Sequence, residues 1–370
     1  MVYLAMSDKR EIVFLLGAGA TVDAGMHTAT NLTNIVEENI KDKHQSLLPV
    51  LRFIKGAIQF GKACQSQPIT DRINIEELVM ACSLLASREE LDVYPFVSAW
   101  HERITKLQRL PDDIQSDGTN DSFQFLANYC KQGLRNWLAI KDAALIKYLW
   151  SFRDFINEGY RLRIFTLNYD ECIECALSDA LGQVNKEWTT GFDEGGWNPK
   201  LLDSDNYKAY IYKLHGSLDW VRDPKFGICC VKWPPASDIE ELPDDFESLL
   251  IFGTDIKLQA VDPFLTLIFR FQQLLNVSDI LVVVGYSFGD THINAMILEA
   301  LQRDPRMRCI ITNTESLDKL LPHDSDFRHL LAVEQRFIEV KCSAKKAFES
   351  NELLDTVKSV FKDHEKELPF

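Results

Sequence analysis

The feature that most constrains the fold of this chain is an apolar run that ends in a glycine-containing loop. Residues 11–25 read EIVFLLGAGATVDAG, in which Ile12–Leu16 is continuous and uncharged. Such a run is typical of a strand buried on both faces of a parallel sheet. Gly17, Gly19 and Gly25 follow it, and glycines permit positive φ and let a ligand approach the backbone closely. If a helix follows the loop, its first N–H groups favour a phosphate.

The loop predicts a nucleotide site, with a tight strand–helix turn as the alternative interpretation. The dinucleotide fingerprint G-x-G-x-x-G would place its third glycine at position 22, where the chain has Val22. The Gly-Lys-Ser/Thr of a Walker loop does not occur. The loop alone therefore indicates a nucleotide without identifying which one.

Strand-like runs bounded by turns recur along the chain and alternate with helical patterns. The runs are Ile12–Leu16, Arg163–Leu167, Ala209–Leu214, Leu249–Phe252, Ile280–Val284, Cys309–Thr312 and Phe337–Val340. The helical patterns include Asn31–Ile40, Asp170–Ala180, Pro263–Leu275 and Thr291–Leu301. This alternation predicts an α/β fold with a mostly parallel sheet and helices on both faces.

Residues 43–159 interrupt the alternation and predict a large helical insertion into a domain formed by residues 1–42 and 160–370. Helical periodicity is present in Ile75–Leu85, Pro95–Leu107 and Phe123–Phe155, whereas Pro111–Ser122 is polar and predicts a loop. Gly191–Asn206 and Pro234–Phe246 are irregular in pattern. The segment Ala344–His364 predicts one amphipathic C-terminal helix.

Composition limits the classes of function. The formal charge of −15 argues against direct binding of nucleic acid; it suits a basic partner or simply solubility. No apolar run approaches the ~18 residues of a membrane span, and the N-terminus lacks a signal peptide. The nine scattered cysteines indicate reduced thiols, so we expect a cytoplasmic protein.

Polar residues follow three further strands at the point where each one ends. The segments are RIFTLNYD, YIYKLHGSLDW and ILVVVGYSFGD, and their polar residues include Asn168, Asp170, His215, Ser287 and Asp290. In an open parallel sheet these positions face one crevice. Singly, each one suits an N-cap or a turn, and His215 before Gly216 suits a structural turn. Together they predict a site.

The ordered set GAGAT, TLNYD, LHGS, GYSF and ITNTE resembles the catalytic core of the sirtuins, and more narrowly the sirtuin-like NAD-cleaving proteins of bacterial antiphage defence. The resemblance implies a Rossmann-like sheet that binds NAD. By motif, it implies that the pyrophosphate is cradled by Gly17, Ala18, Gly19 and Thr21, in a loop lined by Ala24 and Gly25. Asn168 would contact the nicotinamide ribose, Asp170 the carboxamide, and His215 would be the general base. The adenosine end would be held by Gly285, Ser287 and Asn313.

The chain departs from the deacetylase pattern of that family. The deacetylases carry Gly-Ile-Pro-x-Phe-Arg after the loop, where this chain has MHTATNL, and Phe-Gly-Glu, where it has Phe252, Gly253 and Thr254. They also carry a zinc ribbon of two Cys-x-x-Cys pairs, whereas the interval Ser217–Ile251 holds only Cys229 and Cys230. Cys172 and Cys175 form a Cys-x-x-Cys elsewhere, and adjacent cysteines are a poor second pair for tetrahedral zinc. We therefore expect no metal.

The residues that remain suit hydrolysis of NAD, used as a substrate, to nicotinamide and ADP-ribose. Two alternatives stay open. Gly285-Tyr-Ser287-Phe-Gly289 matches a serine-hydrolase nucleophile elbow, with Asp318 or Asp324 and His323 or His329 as partners. A module that senses NAD without turnover would keep the loop and Asn313.

Unregulated NAD loss would kill its host, so the resemblance implies a gated effector of abortive infection. We expect a homo-oligomer, and the resemblance also implies a protein partner, an ATP-driven DNA translocase of the HerA type. The helical insertion and the acidic segment Ser237–Glu247 are the predicted interaction surfaces.

Overall fold

The computed structural model describes residues 10–65, 73–90, 101–114, 118–225, 227–231, 247–252, 261–323, 325–332 and 336–367. Within them the chain forms two compact units. One comprises residues 1–26 and 139–370, and the other comprises residues 27–138. The division at 43 and 159 remains a prediction made from the sequence pattern.

Twelve strands form in the described part of the chain. They are β1 Glu11–Leu16, β2 Arg161–Thr166, β3 Trp188–Thr189, β4 Phe192–Asp193, β5 Gly196–Trp197, β6 Ala209–Lys213, β7 Gly216–Asp223, β8 Gly227–Cys230, β9 Glu247–Leu250, β10 Ile280–Val284, β11 Arg308–Thr312 and β12 Phe337–Val340.

The described α-helices are α1 Ala29–Lys43, α2 Leu48–Cys64, α3 Ile75–Ala86, α4 His101–Gln108, α5 Ser122–Trp137, α6 Phe152–Asn157, α7 Cys172–Leu181, α8 Lys200–Asp203, α9 Phe264–Leu275, α10 Thr291–Arg303, α11 Leu317–Leu320, α12 Ser325–Ala332, α13 Ala344–Glu349 and α14 Glu352–Glu367. Short 3₁₀ helices include Ala18–Ala20, Val22–Ala24 and the longer Ala143–Ser151.

Seven strands form a parallel sheet in the order β12-β11-β10-β1-β2-β6-β3. The order reverses beside β1, since the chain runs outward through β2 on one side and returns through β10 on the other. Ligands of doubly wound sheets bind at the carboxyl ends of the strands next to such a reversal. The predicted α/β class and the Rossmann-like parallel sheet are confirmed.

Helices cover both faces of this sheet because β1 is apolar at every second position on each side. Phe14 packs edge-on against Phe152 and Phe155 at 5.3 Å on one face. Val13 and Leu15 belong to the core of the other face, which includes Phe271 of α9. Residues 12–16 are all fully buried, as the uncharged run predicts.

One predicted strand does not join the parallel sheet. Leu249–Phe252 was expected among the parallel strands, but β9 pairs antiparallel with β7 in a separate sheet of order β8-β7-β9. The reason is the turn after β6, where Gly216 has φ +89° and starts β7 immediately. The region 191–206, irregular by pattern, contains the short β4–β5 hairpin and α8.

Two long predicted helices are broken. The Phe123–Phe155 pattern divides into α5, the 3₁₀ helix Ala143–Ser151 and α6. The C-terminal pattern divides into α13 and α14, because Asn351 adopts a left-handed φ of +58° between them and a helix cannot continue through that conformation.

The unit formed by residues 27–138 is mostly helical in its described part, apart from a segment around the Arg109–Asp121 β-bridge. Its core combines apolar faces of α1, α2, α3 and α5, with Leu78, Cys82, Leu126 and Cys130 fully buried or nearly so. Asn74 caps α3 through a capping box with Glu77, and Asp121 caps α5 through two backbone amides. These local signals explain why a helical unit forms there.

Candidate functional site

The glycine loop lies at the carboxyl end of β1, against the loop that follows β10. Gly17 N–H donates to Val284 O at 3.0 Å, and Gly19 N–H donates to Gly285 O at 2.8 Å. A Cβ at Gly17 would lie 2.6 Å from Tyr286 Cα, and one at Gly19 would lie 2.8 Å from Gly285 Cα. The first two glycines are therefore required for contact between two loops of the protein itself.

No α-helix begins directly after the loop, and the helical pattern Asn31–Ile40 lies within α1. Two 3₁₀ turns, Ala18–Ala20 and Val22–Ala24, follow β1, and α1 begins only at Ala29. The Ala20 amide donates to Gly17 O, and the Thr21 amide donates to Ala18 O. Ala24 is buried, and Gly25 closes the second turn with φ +86°. Amide groups that already donate inside the loop are not free for a pyrophosphate, and this limits the predicted cradle.

Asn168, Thr21 and Asp170 form one buried hydrogen-bond network below the loop. Asn168 Nδ2 donates to Gly17 O at 3.1 Å and to Thr21 Oγ1 at 3.2 Å. Thr21 Oγ1 donates to Asp170 Oδ2 at 2.9 Å, and Asp170 Oδ1 accepts the Cys172 amide at 3.1 Å. Because the amide nitrogen of Asn168 faces the glycine loop, its Oδ1 remains as the acceptor of that side chain.

Lys213 supports this network from inside the sheet. Its ammonium donates to the carbonyls of Tyr169 (3.3 Å) and Asp170, and it pairs with Glu174 at 3.0 Å. Burial alone would lower the pKa of Lys213, but the carboxylates of Glu174 and Asp219 raise it above its ordinary value. A charged lysine thus fixes the backbone that carries Asn168 and Asp170.

The carboxylates around Lys213 are held in an unfavourable environment. Burial, together with the neighbouring charges of Asp219 and Glu174, raises the pKa of Glu171 to about 7. Burial also raises the pKa of Glu174. One lysine therefore faces several acids, and the pKa of Glu171 lies near neutral pH as a result of burial and neighbouring negative charge.

His215 lies in the turn between β6 and β7, with its side chain next to Asp290. His215 Nε2 lies 3.3 Å from Asp290 Oδ2, and both side chains are less than a tenth exposed. The ring of Tyr169 lies 6.5 Å from the imidazole, between centroids, and Tyr169 Oη donates to Ile251 O at 2.6 Å. The Ile251 amide in turn donates to His215 O at 3.0 Å. These bonds join the segments that carry Asn168 and His215.

The three residues predicted for the adenosine end lie after β10 and β11. Gly285 has φ +62°, and its amide donates to Thr312 O at 2.9 Å. Asn313 Nδ2 donates to Tyr286 O at 3.2 Å, and Ser287 is exposed. The loops after β1, β10 and β11 are therefore linked in series.

The geometry lacks the contacts that a serine-hydrolase triad needs. A triad joins its serine to a histidine by a hydrogen bond, and within the described ranges Ser287 makes none. His323 Nδ1 lies 3.1 Å from Arg328 Nη2 instead, and Asp324 lies outside the described residues. Two residues of the GYSFG turn are left-handed, Gly285 at φ +62° and Phe288 at φ +55°, and the serine is not one of them.

The cysteines do not converge on a metal. Cys229 and Cys230 are neighbours on β8, so their side chains point to opposite faces. Burial raises the pKa of Cys175 to about 12 and raises that of Cys172 as well, which disfavours thiolates. In the described part of the chain, no group of three or more His, Cys, Asp or Glu side chains is placed to hold a metal ion. Gly253 and Thr254, and most of Ser237–Glu247, lie outside that part.

Sequence reasoning gave no role to three residues of the site. Asp290 was noted only as a polar residue after a strand, although Asp before Thr-His at a helix start is an N-cap signal. Lys213 could have been found as a lysine inside an apolar strand. Tyr148, whose hydroxyl donates to Ala20 O at 2.6 Å, has no sequence signal, because its partner is 128 residues away.

Residues 162–323 match the family model of the SIR2-like domain. The match includes Asn168, Asp170, His215, Ser287 and Asn313 and begins after the glycine loop. No curated protein sequence matches the chain. Among the helices that are described, none is long and apolar enough to cross a membrane.

Several solved structures are similar in fold at low identity. A triple mutant of a Sir2 homologue in complex with 2'-O-acetyl ADP-ribose is 14% identical, with a TM-score of 0.44 over 98% of this chain and 96% of that one. A complex of a Sir2 homologue with NAD is 15% identical, with a TM-score of 0.42 over 96% and 91%. Sir2 bound to an acetylated peptide is 11% identical, with a TM-score of 0.43 over 93% and 92%. Because these TM-scores are below 0.5, the proposals that follow rest on this chain's own residues and on the family match.

Proposed function

We propose that this chain, with a SIR2-like domain over residues 162–323, binds NAD⁺ and hydrolyses its nicotinamide–ribose bond to nicotinamide and ADP-ribose. The observation that carries the proposal is the grouping of Asn168, Asp170 and His215 with the glycine loop beside the reversal of the sheet. The geometry supports a nucleotide site at this position, because ligands of doubly wound sheets bind at the carboxyl ends of the strands beside such a reversal.

Asn168 has the properties required to position the reacting groups. Its amide nitrogen is fixed by Gly17 O and Thr21 Oγ1, so its Oδ1 can accept a hydrogen bond from the ribose or from water. Departure of nicotinamide builds an oxocarbenium-like ribose, and nicotinamide leaves as a neutral molecule without a strong acid. Holding water in line with the anomeric carbon lowers the entropic part of the barrier.

His215 is the group that takes the proton. Water attacks the anomeric carbon as the bond to nicotinamide breaks, and the proton that water loses passes to the imidazole. General-base assistance of this kind is typically worth ~10²–10⁴-fold in rate. The buried setting of His215 supports this role, because the base is held in one orientation.

Release of nicotinamide from NAD⁺, measured by chromatography, tests the proposal. We expect His215→Ala and Asn168→Ala each to lose most of the release while keeping the circular dichroism spectrum of the wild type. Asn128→Ala is the control, because Asn128 is an exposed asparagine of α5 whose Oδ1 accepts a hydrogen bond from Gln124 Nε2. Wild-type turnover in either site variant would refute the assignment. Calorimetric binding of NAD⁺ without release would favour the sensing module.

The finer proposal is a gated, NAD-depleting effector of antiphage defence that acts with a HerA-type DNA translocase. This part rests on the sequence resemblance alone. Co-expression with such a translocase is expected to raise nicotinamide release by the chain. Release that is unchanged by the translocase would contradict the partner.

We assign self-association to the outer face of α9. Four of the nine large apolar side chains that are markedly exposed among the described residues lie on this helix or beside it, namely Val261, Leu265, Phe269 and Val277. Leu265 and Phe269 are one turn apart and about half exposed, so they form one apolar stripe. Exposed apolar side chains that lie together are typical of a protein–protein contact, and we propose a second copy of the chain as the partner.

Light scattering on Phe269→Glu tests this surface. The variant is expected to lose the oligomer mass of the wild type, because a second copy would bury the new carboxylate. Phe60→Glu is the matched control, since Phe60 is an exposed phenylalanine of α2 at 69% exposure. An oligomer that persists in Phe269→Glu would refute the assignment.

A further inference from the structure

The geometry points to Asp290 as the residue that positions His215 for proton transfer, so that the two side chains act as a dyad. This inference rests on the proposed function, because it assigns the partner of the same base. Asp290 comes from the loop between β10 and α10, whereas His215 comes from the turn between β6 and β7. Nothing in the local sequence of either residue joins them.

The two oxygens of Asp290 have different partners. Oδ1 accepts the amides of His292 at 3.0 Å and Ile293 at 3.3 Å, which caps α10. Oδ2 lies 3.3 Å from His215 Nε2. The cap therefore fixes the carboxylate and aims its second oxygen at the imidazole.

The backbone of Asp290 is held as firmly as its side chain. Tyr286 Oη accepts the Asp290 amide at 3.0 Å and donates to Asn294 Oδ1 at 3.0 Å. Asn294 Nδ2 donates to Phe288 O at 2.8 Å. These buried bonds join the GYSFG loop to the first turn of α10, so the carboxylate has little freedom to move.

His215 is fixed from its own side by Gly216. A Cβ at Gly216 would lie 2.2 Å from Leu249 O, and the residue has φ +89°. The His215 carbonyl accepts the Ile251 amide, so the imidazole stands on a rigid turn. Asp290 and Tyr169 are two titratable side chains that lie against it.

The consequence is chemical. When Nε2 keeps its proton and donates a hydrogen bond to Asp290, the lone pair of the neutral imidazole is on Nδ1, which becomes the atom that accepts a proton from water. The imidazolium that forms then faces a carboxylate in a buried setting, where the attraction between opposite charges is strong. An aspartate in this position selects one tautomer and stabilises the product of proton transfer.

Substitutions at Asp290 can separate this role from helix capping, because Ser and Asn cap helices about as well as Asp. Asp290→Ser keeps a capping oxygen but has no second oxygen to reach Nε2. Asp290→Asn keeps the cap and a neutral group facing the ring. The inference predicts an activity order of wild type, then Asn, then Ser, with the kcat of Asp290→Ser about 10²-fold below wild type and KM for NAD⁺ little changed.

The matched control is Asp121→Ser. Asp121 also caps a helix with Oδ1, and its Oδ2 accepts a side chain, Gln108 Nε2 at 2.8 Å. Asp121 lies in the helical unit, so Asp121→Ser is expected to leave kcat unchanged. A fall in kcat of equal size in both serine variants would show that cap loss is responsible and would overturn the inference.

A second measurement does not depend on turnover. In ¹⁵N-edited NMR spectra of histidine-labelled protein without NAD⁺, the His215 Nε2 proton should exchange slowly with water, as a buried hydrogen-bonded proton does. The signal is assigned by its loss in His215→Gln, and it should disappear in Asp290→Ser and remain in Asp121→Ser. A wild type without this signal, or Asp290→Ser with it, refutes the dyad. A wild type that shows the signal but neither binds nor cleaves NAD⁺ refutes the proposed function alone.

Discussion

Gly285→Ala is the substitution whose effect the structure specifies most closely. Gly285 has φ +62°, and a Cβ there would lie 2.2 Å from Ala20 N and 2.2 Å from Gly19 C. Both contacts are with backbone atoms, so no side chain can rotate away. The loops after β1 and β10 would have to separate by about 1 Å to restore ordinary contact distances.

Gly285→Ala lowers the free energy of unfolding in two ways. The left-handed conformation costs an alanine roughly 1–2 kcal/mol relative to glycine. Separation of the loops breaks the bond from the Gly19 amide to Gly285 O and strains that from the Gly285 amide to Thr312 O, at about 1–3 kcal/mol for each buried group left unpaired. We expect the free energy of unfolding to fall by about 3–5 kcal/mol.

Gly159→Ala is the control, because Gly159 has φ +89° and a Cβ there would meet no atom within 4 Å. It should lose only the conformational part, about 1–2 kcal/mol. Urea unfolding followed by circular dichroism measures both variants. The folded fraction of Gly285→Ala should also release nicotinamide at least ~10²-fold more slowly, since misplacement by about 1 Å has effects of that size. Equal stability losses in the two variants would refute the close contact between the loops.

Three further predictions concern buried groups near the site. Lys213→Met should lower the free energy of unfolding by about 3–5 kcal/mol, because it leaves Glu174 without its cation. The control Lys208→Met removes the lysine of an exposed pair with Glu187 and should lower it by less than about 1 kcal/mol, so similar losses in both variants would contradict the buried pair. The pKa of Glu171 is about 7 in the fold against an ordinary 4.5, so ionisation of this residue destabilises the protein as the pH rises from about 4.5 to 7. Glu171→Gln should remove up to about 3 kcal/mol of that loss of stability. Urea titrations at pH 5 and pH 8 measure it, and a pH dependence equal to that of the wild type would argue against the raised pKa. Tyr148→Phe should lower the free energy of unfolding by about 1–2 kcal/mol and lower the melting temperature, because Ala20 O loses a buried donor. A melting temperature equal to that of the wild type would contradict this hydrogen bond.

Most of the fold could be predicted from the periodicity of apolar residues and from the turns that bound the strands. The parallel strands are short, apolar and bounded by turns, and a run such as Ile12–Leu16 is stable only with both faces covered. The wrong predictions include β9 and the continuous C-terminal helix, where left-handed residues, Gly216 and Asn351, change the direction of the chain.

The site was predictable in its residue types and not in their partners. Asn168, Asp170 and His215 follow strands, so the sequence could group them at one edge of a sheet. The contacts that hold these side chains in place join residues far apart in the chain, such as Thr21 with Asp170 and His215 with Asp290. A hydrogen bond between distant residues leaves no periodic trace in a single sequence.

Gly17 and Gly19 illustrate the difference between what the sequence determines and what the tertiary structure determines. By itself the sequence determined that the backbone after β1 must be free of side chains, because the loop repeats glycine where a strand meets a turn. Only the tertiary structure decided what approaches it, namely the backbone of Gly285 and Tyr286. The reason is physical: a missing Cβ records that space is required, whereas the identity of the neighbour depends on the order of strands in the sheet.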